Sequence, residues 1–89
     1  GARIAADVVA SVDLEVTGNP SPAFRVFVAN AAIRGVIAGP SPKALINGKV
    51  VHVGDSADSM LGVTLAGIDA SRQTLRFRDS TGATVSRRY

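Results

Sequence analysis

Apolar and polar residues alternate along much of this chain. From Ser11 to Thr17, Val12, Leu14 and Val16 interleave with Ser11, Asp13 and Glu15, the period of a half-buried strand. Between Thr74 and Arg78, Leu75 and Phe77 take one face while Arg76 and Arg78 take the other. The run Ala23–Ala29 (AFRVFVA) is rich in aromatic and β-branched residues and predicts another strand. Ala31–Ala38 (AAIRGVIA) puts Ile33 and Ile37 on one strand face, with Gly35 marking a bulge or bend. Gly62–Ile68 (GVTLAGI) and Ala83–Tyr89, with Val85 inward, add two more. Turn-forming clusters separate these runs: Gly39-Pro40-Ser41-Pro42, Gly54-Asp55-Ser56, Asp69–Gln73 and Asp79-Ser80-Thr81-Gly82.

The strongest local signal is Ala44–Val53 (ALINGKVVHV). Asn47-Gly48 accepts positive φ at both central positions of a type I′ turn, whose twist matches the flanking strands, so a tight hairpin is expected. Asp55 is expected to cap a short turn through Ser59–Leu61. Residues 3–10 carry no clean period. The breaker cluster Gly18-Asn19-Pro20-Ser21-Pro22 divides an N-terminal arm or extra strand (residues 1–22) from a β domain (residues 23–89). The pattern predicts an all-β fold, a small antiparallel β-sandwich or semi-barrel of about seven short strands with no long helix. The expected core is Val12, Leu14, Val26, Val28, Ile33, Ile37, Leu45, Val51, Val53, Leu65, Ile68, Leu75, Phe77 and Val85.

Composition narrows the chemistry. At 89 residues there is room for one core, and 46% apolar residues are enough to form it. The absence of cysteine removes disulfides, thiolate metal sites and thiol nucleophiles. The longest uncharged stretch, Ser59–Ile68, falls well short of the roughly 20 residues of a membrane span. Gly1 reads as a cut end, with flanking sequence outside this chain. His52 is the single histidine, and Asp55 lies three residues on, across a strand end and a turn. Asp55 and Asp58 fit turn formation better than calcium binding, which needs more oxygen donors. No phosphate-binding glycine loop or nucleophile elbow occurs, so neither enzymatic activity nor a cofactor or metal is expected.

Net charge is +3, unevenly spread. Arg72, Arg76, Arg78, Arg87 and Arg88 face only Asp79 after residue 70. This basic strip supports an alternative reading, a nucleic-acid-binding small β-barrel. Such barrels also need exposed aromatic platforms, and Phe77 alternates inward. Nucleic acid is therefore not the expected partner. A carbohydrate-binding role ranks below both, because aromatic residues make up only 4%.

The segments Ala31–Gly39 (AAIRGVIAG), Ala44–Val51 (ALINGKVV), Val53-Gly54-Asp55, Gly62–Ile68 and Thr74–Phe77 together resemble a known pattern. It is similar to the small periplasmic β domain of bacterial secretion and pilus machines. These include the inner-membrane clamp subunit that docks to the type II secretion secretin and the pilotin-like lipoprotein of type IV pilus alignment complexes. The resemblance spans residues 31–78. It implies a small β-sandwich, periplasmic and held to the inner membrane by a segment outside this chain. The implied partner is a secretin N-terminal domain or another secretion or pilus subunit, bound without catalysis. The strands implied to dock are Ile33–Ile37 and Val50–Val53. Arg34, Val36, Val50 and His52 are the expected outward contacts.

Overall fold

The computed structural model describes residues 14–89. In chain order the elements are β1 (Leu14–Thr17), α1 (Pro22–Asn30), β2 (Ile33–Ile37), β3 (Lys43–Ile46), β4 (Lys49–His52), β5 (Ser56–Asp58), β6 (Val63–Asp69), β7 (Thr74–Arg78) and β8 (Thr84–Arg88). They form two antiparallel sheets, one of five strands ordered β1-β8-β7-β6-β5 and one of three ordered β2-β3-β4. A single buried cluster joins them: Ala44, Ile46 and Val51 of the small sheet meet Val63, Leu65, Leu75, Phe77 and Val85 of the large one, with Phe24 and Val28 of the helix. The fold is all-β apart from that helix, as the alternation predicts. β1 pairs with β8, so residues 14–17 of the expected arm are an integral edge strand. The expected strand residues 11–13, including Val12, lie outside the described residues.

The segment expected to be a strand at residues 23–29 is instead α1. Ser21 is its N-cap, with Oγ accepting from the Phe24 N–H at 3.1 Å, and Pro22 occupies the first turn, where a missing N–H costs nothing. Phe24, Phe27, Val28 and Ala31 recur at i, i+3, i+4 and i+7 and line the buried side, which outweighs the β propensity of the individual residues. Val26 consequently points to solvent, 48% exposed, and does not join the core. The last turn has no basic residue of its own. Arg87 of β8 supplies one: its Nη1 donates to the carbonyls of Val28, Ala29 and Ala31 at 3.1, 3.2 and 3.0 Å. Orphan carbonyls at a helix C-terminus favour such a cation. Partial burial lowers the Arg87 pKa from its ordinary value.

The predicted hairpin is present. Ile46 pairs with Lys49 around a two-residue turn, with φ of 51° at Asn47 and 80° at Gly48. Asn47 also ties the hairpin to β2: its Oδ1 accepts from the Ala32 N–H at 2.8 Å, and its own N–H donates to the Ala32 carbonyl at 2.8 Å. Asn47→Gly keeps the turn conformation and deletes only the side-chain acceptor. Chemical denaturation should show a loss of about 1 kcal/mol. The turn after β5 is capped by Asp58 rather than Asp55; Asp58 Oδ1 accepts from the Met60 and Leu61 N–H groups at 2.9 and 3.1 Å. Asp79 does the same in the β7–β8 turn, taking the Thr81 hydroxyl (2.7 Å) and the Thr81 and Ala83 N–H groups (2.9 and 3.0 Å). The Thr81 hydroxyl bond and these N–H donors hold its carboxyl below the ordinary 3.8.

Candidate docking surface

The small sheet lays its residues out in rows. Ile33, Ile46 and Lys49 stand side by side, as do Arg34, Leu45 and Val50; Ile37, Lys43 and His52 form a third row. Opposed residues in antiparallel strands share a face. Ala44, Ile46 and Val51 are buried, so the inner face belongs to their rows. The outer face carries Arg34, Leu45, Val50, Ile37, Lys43 and His52.

This arrangement corrects three expectations. Simple alternation places Ile33 with Ile37 inside and Arg34 with Val36 outside. The register shifts between Arg34 and Ile37, around Gly35 at φ 57°. A bulge inserts one residue and reverses the phase beyond it. Val36 therefore packs against the core beside Ile33, and Ile37 turns out to solvent, 52% exposed. Leu45 also leaves the expected core, because Ala44 and Ile46 hold the inner positions of β3. The structure brings Arg34, Val50 and His52 onto one outer face; Val36 is not on it. Ile37, Leu45 and Lys43 are the members that strict alternation misses, and Gly35 is the sequence signal of the phase change.

Arg34 and Val50 lie on opposite edge strands with one strand between them, a separation of about 10 Å. The two edges are not equivalent. β2 is bulged, a feature that discourages pairing with a further strand, and β5 at the edge of the large sheet is bulged too. β4 is in continuous register with β3. Its two-residue turn makes Ile46–Lys49 and Ala44–Val51 the pairs that exchange hydrogen bonds, and the bond from the Val53 N–H to the Pro42 carbonyl (3.1 Å) continues the alternation. The N–H groups of Val50 and His52 therefore face away from β3. The His52 carbonyl accepts from the Asp55 N–H at 2.9 Å, which leaves the Val50 N–H, the Val50 carbonyl and the His52 N–H on the open edge.

Charge on this face has one sign. Its charged or titratable residues are Arg34, Lys43 and His52, and β2, β3 and β4 contain no acidic residue; Lys49 belongs to the row of Ile33 and Ile46. The nearest carboxylate contact is Asp55 Oδ2, 3.5 Å from His52 Nδ1, with both side chains exposed. Val50 is 56% exposed among these cations. Ile37 and Val50 are the exposed large apolar side chains of this face, and Arg34, Lys43 and His52 share it with them.

Of the five C-terminal arginines, Arg87 leaves the strip and Arg72 is paired within it. Arg87 faces inward onto α1, and Arg72 Nη2 lies 3.1 Å from Glu15 Oε2. Arg76, Arg78 and Arg88 remain on the outer face of the large sheet. Phe77, between two of them in sequence, is fully buried. Compared with known protein families, curated proteins and solved structures, the chain matches none.

Proposed function

We propose that this chain is a non-enzymatic protein-docking domain that receives its partner along the β4 edge and across the outer face of the small sheet. The partner is the class implied by the resemblance, a secretin N-terminal domain or another subunit of a bacterial envelope secretion or pilus assembly. The observation that carries the reading is the β4 edge itself. It is regular, it is unpaired among the described residues, and it presents Val50 and His52 backbone groups beside an exposed apolar side chain. Edge strands of this kind add a partner strand through main-chain hydrogen bonds, with flanking side chains setting specificity. The flanking side chains here are Arg34, Lys43 and His52, which favour an acidic rim on the partner.

Val50→Pro tests this directly. Proline removes one edge-facing N–H and leaves the ladder to β3 intact, a position sheets tolerate. Titration calorimetry against a purified secretin N-terminal domain should show affinity falling at least about tenfold for Val50→Pro, equivalent to the loss of one net hydrogen bond. Arg34→Glu should weaken it further through charge reversal. Circular dichroism of both variants should match the parent. Unchanged binding by both folded variants would contradict this surface.

A further inference from the structure

We propose that the outer face of the five-stranded sheet is a second binding surface, which takes an extended acidic polypeptide segment with its carboxylates on Arg88, Arg76 and Arg78. This face is on the other sheet, so the proposal stands apart from the docking function above.

The register defines the track. Arg88 lies opposite Thr74, Ser86 opposite Arg76, and Thr84 opposite Arg78. The three arginines thus descend two neighbouring strands, on positions that share one face. Among the described residues none of them has a carboxylate partner, whereas Arg72 has Glu15. Like charges grouped on neighbouring strand positions repel, and an anion laid along them relieves that repulsion. The ground between them is hydroxylated rather than apolar. Thr17, Thr74, Thr84 and Ser86 line a depression of about 520 Å³ with Arg76, Gly67, Arg72, Glu15 and Asp69. Its two carboxylates are already engaged, Glu15 by the Arg72 guanidinium and Asp69 by the Ser71 hydroxyl and the Arg72 N–H. Gly67 gives the Arg76 guanidinium its place: a Cβ there would stand 3.2 Å from Nη2.

The occupant follows from period and chemistry. Arg76 and Arg78 are two residues apart on one strand, a spacing of about 6.6–6.8 Å. An extended polypeptide repeats its same-side residues at that interval, so carboxylates at alternate positions meet successive guanidiniums, which bind them in a forked geometry. Single-stranded nucleic acid would need aromatic platforms for its bases. Phe24 and Phe77 are buried and Phe27 packs on the core, so among the described residues Tyr89, 38% exposed beyond the end of β8, is the single exposed aromatic, too few for a run of stacked bases.

Fluorescence anisotropy at low ionic strength provides the test, with three labelled probes: a peptide alternating Glu and Thr, a peptide of the same composition with its glutamates in one block, and a single-stranded oligonucleotide of equal charge. The alternating peptide should bind tightest and be released as salt rises. The double variant Arg76→Gln, Arg78→Gln should weaken it about tenfold, the scale of two exposed ion pairs. Met60→Ala, a charge-neutral change at a fully exposed position in the turn between β5 and β6, should leave it unchanged. No binding, equal binding of the two peptides, binding of the oligonucleotide as tight as that of the alternating peptide, or indifference to the double variant would each overturn the proposal.

Discussion

Phe77→Ala is expected to lower the free energy of unfolding by about 3–5 kcal/mol, a large share of the roughly 5–15 kcal/mol that a small domain possesses. Phe77 has no exposed surface, and its position explains the size of the effect. It stands between Leu65 on β6 and Val85 on β8, at the middle of the large sheet. Its ring meets that of Phe27 edge to face, with centroids 6.1 Å apart. Removing it opens a cavity where sheet and helix meet, and a closely packed interior relaxes only partly to fill such a space. Urea denaturation should show a lower midpoint with an unchanged slope. A change below about 1 kcal/mol would mean that the helix does not pack on this sheet as described.

Arg87→Met should cost about 2–3 kcal/mol and lower the melting temperature by on the order of 10 °C. Methionine keeps an unbranched stem of similar length, so packing survives and the guanidinium alone is lost. Three carbonyls at the end of α1, those of Val28, Ala29 and Ala31, then lose their shared donor. Half-buried acceptors without a partner carry a full desolvation penalty. Arg87→Lys should fall between, because an ammonium keeps the favourable charge at the helix C-terminus but not the fork. Far-ultraviolet circular dichroism separates the two faces of the effect: helical signal should melt before strand signal in Arg87→Met. Parent-like stability would show that solvent serves these carbonyls equally well.

The legible parts of this fold were those with a purely local cause. Asn47-Gly48 needs only its own backbone to make the turn, and β7 declares its faces through Leu75 and Phe77 against Arg76 and Arg78. The helix was hidden because Phe24, Val26, Phe27 and Val28 are β formers one by one. Its evidence lies in spacing, the stripe Phe24, Phe27, Val28 and Ala31 behind the cap Ser21-Pro22, and tertiary burial of that stripe decides the matter. β5 escaped for the opposite reason: Ser56–Asp58 is too short and polar to show a period, and it is held by pairing with β6.

The proposed docking surface was half legible. Arg34, Val50 and His52 do share a face, yet the step from Val36 to Ile37 depends on a bulge whose presence Gly35 signals but whose phase only the pairing with β3 sets. The arginines show the same limit. Sequence proximity groups Arg87 with Arg88, and strand alternation sends one to the helix carbonyls and the other to solvent. Charge counted along a chain overstates charge presented on one surface, and here it separates a structural cation from three that face outward.

The central claim, a partner strand added at β4, is tested most directly by amide hydrogen exchange on the complex with a secretin N-terminal domain. Complex formation should slow exchange at the Val50 and His52 N–H groups and leave the bulged β2 edge near its free rate. Protection confined to β2 or to the five-stranded sheet, with Val50 and His52 still exchanging freely, would contradict it.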